Sequence, residues 1–185
     1  MVDDAHATGT IGSGHGTAAY YGLEKEVDIQ LGTLSKSLGS VGGYVAANST
    51  IIDYLVNMSR SFIFSTALSP ADIGAALAAL HILESDTSVL GRLQENVNYM
   101  ALQLIAMGIE ATNETPIFPI LIGSNEDTLA VSDYLYNAGI IGTAIRPPTV
   151  PVGESRIRLT VTAAHNKEQI DYVCRTLDKA IKELN

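Results

Sequence analysis

The chain has 185 residues, 46% of them hydrophobic and 17% charged, with a formal charge of -9. That length suffices for one large domain or two small ones with buried cores, and no stretch approaches the roughly 18 consecutive apolar residues of a membrane span. The acidic balance and the lack of any Lys/Arg-rich run argue against a nucleic-acid footprint or a basic membrane-surface helix, since both need clustered cations.

In chain order, "MVDD" reads as the end of a buried strand, with acidic residues where the strand reaches its C-terminal edge. A glycine-rich loop, "ATGTIGSGHGTA", follows, and then a short strand "VDIQLG" at 27–32 that runs directly into the loop "GTLSKSLGS". "GGYVAAN" is a further strand. Thr50 and Asp53 have capping-box spacing, which predicts an amphipathic helix through Met58 with Ile51, Ile52 and Leu55 inward. "SFIFSTALSP" reads as strand, loop and helix start, with Ser69 as N-cap and Pro70 as the first helical residue. The alanine-rich helix after it breaks around Glu84-Ser85-Asp86, and Leu90, Leu93, Val97, Ala101 and Leu104 begin a new amphipathic helix. A domain boundary is placed at that break.

The second half alternates strand and helix: "IFPILIG", a helix over 126–138 ending at Gly139, "IIGTAI", a proline turn "RPPTVPVGES", "RIRLTVT" and a closing helix. This alternation predicts an α/β layer domain. Asn166 and Gln169 have capping-box spacing before the last helix. Cys174 recurs with Ile170, Val173, Leu177, Ile181 and Leu184 at helical spacing, as a buried structural thiol would. As the one cysteine of the chain it closes no internal disulfide, and with no signal-peptide pattern visible a cytosolic protein is expected.

Several chemistries lack part of the residue pattern they need. Gly12-Ser13-Gly14 opens a G-x-G, but the third glycine of a dinucleotide fingerprint would fall at 17, which is Thr17. His6, His15, His81 and His165 have no metal-ligand spacing. Thr33 stands where an acyl-enzyme serine would precede the lysine by three. Lys36 remains, a lone charge among small hydroxylated residues. A lysine amine attacks a carbonyl only when neutral, and small neighbours leave room for a planar aldehyde. Ser35, Ser37, Thr33 and turn N–H groups suit a phosphate dianion, and Asp3 and Asp4 stand at a strand end, where ligands of open α/β sheets bind. From the residues alone, a cofactor lysine and a surface lysine with two solvated aspartates both stay open.

The segments "VDDAHATGTIGSGHG", "VDIQLGTLSKSLGSVGGYVA", "RSFIFSTALSPA" and "RIRLTVTAAH" resemble, in order and spacing, the α-oxoamine synthases among the fold-type I pyridoxal phosphate enzymes. The resemblance runs through essentially the whole chain. It implies an α/β fold made of the C-terminal part of such a transferase, with 1–85 part of the large cofactor-binding domain and its sheet, and 86–185 the small C-terminal α/β domain. It makes Lys36 the Schiff-base lysine, Asp3 the partner of the pyridinium nitrogen and His6 the donor to the ring's phenolic oxygen. Thr33 and Ser35 lie beside the phosphate, and Ser65 and Thr66 reach the phosphate of a neighbouring subunit, which implies a homodimer.

Arg158 corresponds to the arginine that holds the amino-acid carboxylate, and Thr149 to a substrate-contacting threonine. Arg156 shares the face of Arg158 because side chains alternate along a strand, so period alone does not choose between them. "TAIRPPTVPVGESRIRLTVTAAH" is most similar to the branch that condenses L-alanine with a pimeloyl thioester, carried on CoA or a carrier protein. Condensation of glycine with a shorter acyl thioester is the runner-up, and a non-catalytic α/β scaffold is the alternative outside catalysis. Family members are longer. The expectation is that the N-terminal half lies outside this chain, and that the piece alone is inactive.

Overall fold

The computed structural model describes residues 1–183. Leu184, expected on the apolar stripe of the last helix, lies outside them. Residue contacts divide the chain into two units, Met1–Leu90 and Gly91–Asn185.

The first unit carries a three-stranded sheet in the order β1-β2-β3. β1 (Val2–Asp3) is parallel to β2 (Ile29–Thr33), with Asp3 opposite Leu31. β3 (Gly43–Ala47) is antiparallel to β2, with Thr33 opposite Gly43. Parallel pairing places the C-terminal ends of β1 and β2 at the same edge of the sheet. Between them run a 3-10 turn, Gly12–Gly14, and a one-turn helix α1, Thr17–Tyr20.

α2 (Ser49–Met58) is capped by Asn48, whose side chain accepts the Ile51 N–H at 3.0 Å. The expected cap at Thr50 is therefore displaced by two positions: Asn48 has extended backbone and an acceptor three residues ahead of an orphan donor, while Thr50 already lies inside the first turn. Ile51, Ile52 and Leu55 are its half-buried residues, as the periodicity predicts.

"SFIFSTALSP" does not start as a strand. Its first residues complete a short helix α3 (Arg60–Ile63), closed by Ile63 N–H to Ser59 O and Phe64 N–H to Arg60 O at 2.9 and 3.0 Å. An apolar run with no neighbouring strand to bond satisfies its backbone locally instead. α4 (Pro70–Ser85) begins as expected, Ser69 accepting the Asp72 N–H with Pro70 at the first turn.

α5 (Ser88–Ala106) leads into the second unit, where β4 (Ile117–Gly123), β6 (Ser155–Thr160) and β5 (Thr143–Ile145) form an antiparallel sheet in that order. The β5 strand is shorter than "IIGTAI" suggests. α6 (Asn125–Asn137) and α7 (Lys167–Glu183) complete the unit. Strand alternation sends Phe118, Ile120, Ile157 and Leu159 to one face, where Leu104, Leu135 and Leu177 of the three helices meet them. Asn166 and Gln169 cap α7 reciprocally, at 2.8 and 3.0 Å.

Candidate active site

The residues nominated from the sequence fall on two separate units. In the first, Asp3 ends β1. Its Oδ1 accepts the Ala5 N–H at 3.0 Å, a local turn that leaves the second carboxylate oxygen without a partner among the described residues. His6 follows on the exposed side of the same turn, its carbonyl held by the Thr10 hydroxyl at 2.8 Å. Asp3 and Thr33 line one cleft of about 620 Å³, with Tyr44, Ile52, Leu55 and Phe62 along its apolar wall. Lys36 and His6 are not among its lining residues; they stand on the loops that leave the same strand ends.

The lysine loop is pinned around Lys36 rather than through it. Leu34 N–H donates to Gly42 O at 2.9 Å and Ser40 N–H to Leu34 O at 2.8 Å, closing the loop on itself. Leu38 is buried, Ser37 Oγ donates to Thr8 O at 2.6 Å, and Ser40 Oγ donates to Asp72 O at 2.6 Å. Ser37, which suits a phosphate by sequence, is thus spent on joining the lysine loop to the glycine loop. That junction requires Gly9: its φ is +74°, and a Cβ there would lie 2.7 Å from Ser37 Oγ. Lys36 itself is exposed, and its amine has no hydrogen-bond or ion-pair partner among the described residues.

Thr33 and Ser35 are joined to each other at 2.8 Å, and Thr33 Oγ1 also donates to Gly42 O at 3.0 Å. Each hydroxyl has one proton, so Thr33 gives its own to Gly42 and Ser35 gives its own to Thr33. An anion bound here would take a donor from one of those bonds. Ser65 Oγ is turned back onto Ser61 O, and Thr66 lies on the exposed segment before α4.

Asp4 does more than its place at a strand end suggests. It is buried, its N–H donates to Leu31 O at 2.8 Å, and its carbonyl accepts the N–H groups of Ala7 and Thr8, both at 2.9 Å. Its Oδ2 accepts the Thr17 N–H at 3.0 Å, while Oδ1 has no partner. One side chain and its backbone therefore fasten β2, the turn bearing His6, and the start of α1. The signal for it is Gly16, whose φ is +98° and whose added Cβ would fall 2.2 Å from Asp4 Oδ2.

In the second unit, the structure separates the two arginines that alternation leaves equivalent. Arg156 is held by Glu154, Nη2 to Oε2 and Nε to the backbone carbonyl, both at 2.9 Å. Arg158 is exposed on β6, opposite Pro119 and Thr143, with no partner among the described residues. Thr149 N–H donates to Arg146 O at 3.0 Å, closing the proline turn with the Thr149 side chain exposed. His165 Nδ1 accepts the Thr162 N–H at 3.0 Å, so this histidine organises the turn into α7.

At the ends of β1 and β2 there are a primary amine without a partner, a carboxylate with one free oxygen, an imidazole and two hydroxyls. That donor set fits a group carrying an aldehyde, a basic ring nitrogen and a phosphate. Together with the strand-end position, it makes this edge of the sheet the candidate cofactor site.

Residues 1–177 match the family "Aminotransferase class I and II", and the chain belongs to that family. Its fold is that of part of a fold-type I pyridoxal-phosphate-dependent enzyme. It is 45% identical over its whole length to the 8-amino-7-oxononanoate synthase of Lysinibacillus sphaericus, and 43% identical to 8-amino-7-oxononanoate synthase 1 of Bacillus subtilis. The chain spans about half the length of these curated relatives, 48% and 47%. Among solved structures, a serine palmitoyltransferase from S. paucimobilis with a bound pyridoxal phosphate–myriocin aldimine superposes with a TM-score of 0.93 at 28% identity, over 99% of this chain and 47% of that one. The 8-amino-7-oxononanoate synthase of Francisella tularensis gives 0.86 at 27% identity, over 99% and 55%.

Proposed function

We propose that this chain is the C-terminal part of a pyridoxal-phosphate-dependent acyltransferase that condenses L-alanine with a pimeloyl thioester, with loss of carbon dioxide, to give 8-amino-7-oxononanoate. Residues 1–85 belong to its large domain and 86–185 to its small one, and the working enzyme is a cytoplasmic homodimer. The observation that carries the reading is the lysine loop, fastened at Ser37, Leu38 and Ser40 while the Lys36 amine is left exposed and unpaired. The choice of L-alanine over glycine rests on the identity to 8-amino-7-oxononanoate synthases, 42–45% over the whole chain.

Lys36 would hold the cofactor's aldehyde carbon, Asp3 its ring nitrogen and His6 its phenolic oxygen. Thr33 and Ser35 would face the phosphate, with Ser65 and Thr66 supplied to the site of the other subunit. When bound, the cofactor supplies an electron sink for the carbanion formed at the substrate α-carbon. The free oxygen of Asp3 would favour a proton on the ring nitrogen, because a carboxylate beside a protonated nitrogen favours the charged form. The fastened loop would position Lys36, and once the substrate's own amine has taken its place at the aldehyde carbon, the released neutral amine would accept the α-proton. Arg158, free of the pairing that occupies Arg156, presents a planar fork to the substrate carboxylate, and Thr149 stands on the neighbouring turn.

The test is expression of the chain together with the part of the enzyme it does not span, followed by pyridoxal phosphate, borohydride reduction and peptide mass spectrometry. The expected outcome is one reduced adduct, on Lys36, abolished in Lys36→Ala. A full-length protein that forms no adduct at Lys36 refutes the reading.

A further inference from the structure

Thr8 and Tyr44 have no part in the donor set described above, yet between them they join the loops that carry it. Thr8 follows His6 and Ala7 on the glycine loop, and its N–H, carbonyl and hydroxyl are all engaged. The N–H donates to Asp4 O at 2.9 Å, the carbonyl accepts from Ser37 Oγ at 2.6 Å, and the hydroxyl shares a hydrogen bond of 2.8 Å with the Tyr44 phenol. The first bond fixes Thr8 to the strand end that carries Asp3. The second ties it to the residue after Lys36. The third ties it to β3, the strand into which the lysine loop runs.

Tyr44 reaches Thr8 by lying across β2. It is paired with Gly32 in the antiparallel ladder, and a Cβ built on Gly32 would fall 2.3 Å from Tyr44 Cζ and 2.4 Å from its hydroxyl oxygen. The glycine is required for space, since a strand glycine lets a neighbouring group approach where any side chain would stand. A phenylalanine would cover Gly32 as well as a tyrosine does, because cross-strand packing uses the ring and not its hydroxyl. What the hydroxyl adds is the bond to Thr8, between residues 36 positions apart.

We infer that Thr8 and Tyr44 are positioning residues for Lys36. The Tyr44–Thr8 bond holds Thr8 from the side of β3 while Ser37 holds it from the lysine loop, and together they set the place of the Lys36 amine relative to the turn bearing His6. The inference rests on the reaction proposed above, and neither residue touches the reacting atoms. The Lys36 amine is exposed and has no partner of its own among the described residues, so the loop alone places it. An amine that takes a proton from a substrate atom needs that placement: a displacement of about 1 Å costs on the order of a hundredfold in rate. Losing the Tyr44–Thr8 bond while Ser37 still holds the Thr8 carbonyl should cost less, roughly tenfold.

The test uses the full-length enzyme, this chain together with the part it does not span, as wild type, Tyr44→Phe, Thr8→Val, Thr8→Ser and the double variant Tyr44→Phe with Thr8→Val. For each, kcat and KM for L-alanine are measured, together with the pH midpoint of the visible absorption of the cofactor bound at Lys36 and the borohydride adduct at that residue. Tyr44→Phe and Thr8→Val should each lower kcat roughly tenfold and leave KM within about twofold, since the lost contact acts on the chemical step and not on substrate binding. The absorption midpoint should move by the same amount in both. The double variant should be no worse than either single one, because all three lack the same bond. Thr8→Ser keeps a hydroxyl and should keep wild-type values. Wild-type kcat and midpoint in Tyr44→Phe and Thr8→Val overturn the inference, as do losses that multiply in the double variant or a Thr8→Ser enzyme as impaired as Thr8→Val. In those cases the wild type still forms its Lys36 adduct and the reaction stands; a wild type that forms none overturns both.

Discussion

The second unit buries Phe118, Ile120, Ile157 and Leu177 to 1% exposure or less, whereas in the first unit Leu38 is the only buried side chain larger than alanine that is apolar, among the described residues. The two halves contain similar amounts of apolar sequence, so composition does not explain the contrast. Patterning does. In the second unit each helix and strand carries an apolar stripe that finds another stripe within the same ninety-odd residues. In the first, α4 exposes Ile73 and Ile82 on opposite sides, β1 pairs with β2 alone among the described residues, and hydrogen bonds at Asp4, Ser37 and Ser40 tie the loops together.

The largest expected effect sharpens this contrast directly. Phe118→Ala should cost the second unit about 3–5 kcal/mol, from lost transfer energy and the cavity left behind. Phe64→Ala, at a side chain 78% exposed, should change stability by no more than about 0.5 kcal/mol. Urea unfolding followed by circular dichroism measures both; equal costs would break the comparison.

Next, Gly16→Ala probes what holds the first unit. The new Cβ meets Asp4 Oδ2 at 2.2 Å on a backbone with φ of +98°. Strain and loss of the Asp4–Thr17 bond should together destabilise the loop by about 2–4 kcal/mol. Hydrogen exchange at Thr8 and Thr17 should accelerate accordingly, while exchange in α7 should not change.

An alkaline titration examines the second unit's core. Burial, and then the charge of Asp171, push the Cys174 thiol up from 9.0 to about 11. The unfolded thiol loses its proton near pH 9 while the folded one keeps it. The contribution is therefore fully present below about pH 9 and is lost as pH rises toward 11, on the order of 2 kcal/mol in total. Tyr99, raised by its hydrogen bond to Asp171, and Tyr134, raised by burial, add to the same trend. Cys174→Ala should flatten the fall in urea midpoint between pH 8 and pH 10.5.

The smallest effect compares two caps of like chemistry. Asn48→Ala and Asn166→Ala each remove one N-cap worth about 1 kcal/mol. Only Asn166→Ala should lower the midpoint of the cooperative transition, since α7 belongs to a closed core. Asn48→Ala should register as faster local exchange in α2.

Much of the candidate site is legible in contiguous sequence. The lysine loop, Asp3, His6 and the glycine loop each lie within one continuous segment, as do the caps at Ser69 and Asn166. "SFIFSTALSP" misleads because an apolar run does not say whether a partner strand exists, and the Thr50 spacing misleads because Asn48, two residues earlier, competes for the same helix start. Asp4 reads as one more strand-end carboxylate because its role lies in donors from Ala7, Thr8 and Thr17 rather than in any motif.

By itself, the sequence determined the features decided within about one helical turn: which helices have a stripe, where most of them are capped, and which lysine stands among small residues. Only the tertiary structure decided which groups are already spent. Ser37 is taken by Thr8 and Arg156 by Glu154, which leaves Lys36 and Arg158 unpaired among the described residues. The physical reason is that a polar group's availability depends on every donor and acceptor the fold brings to it, and the Ser37–Thr8 bond spans 29 positions of chain.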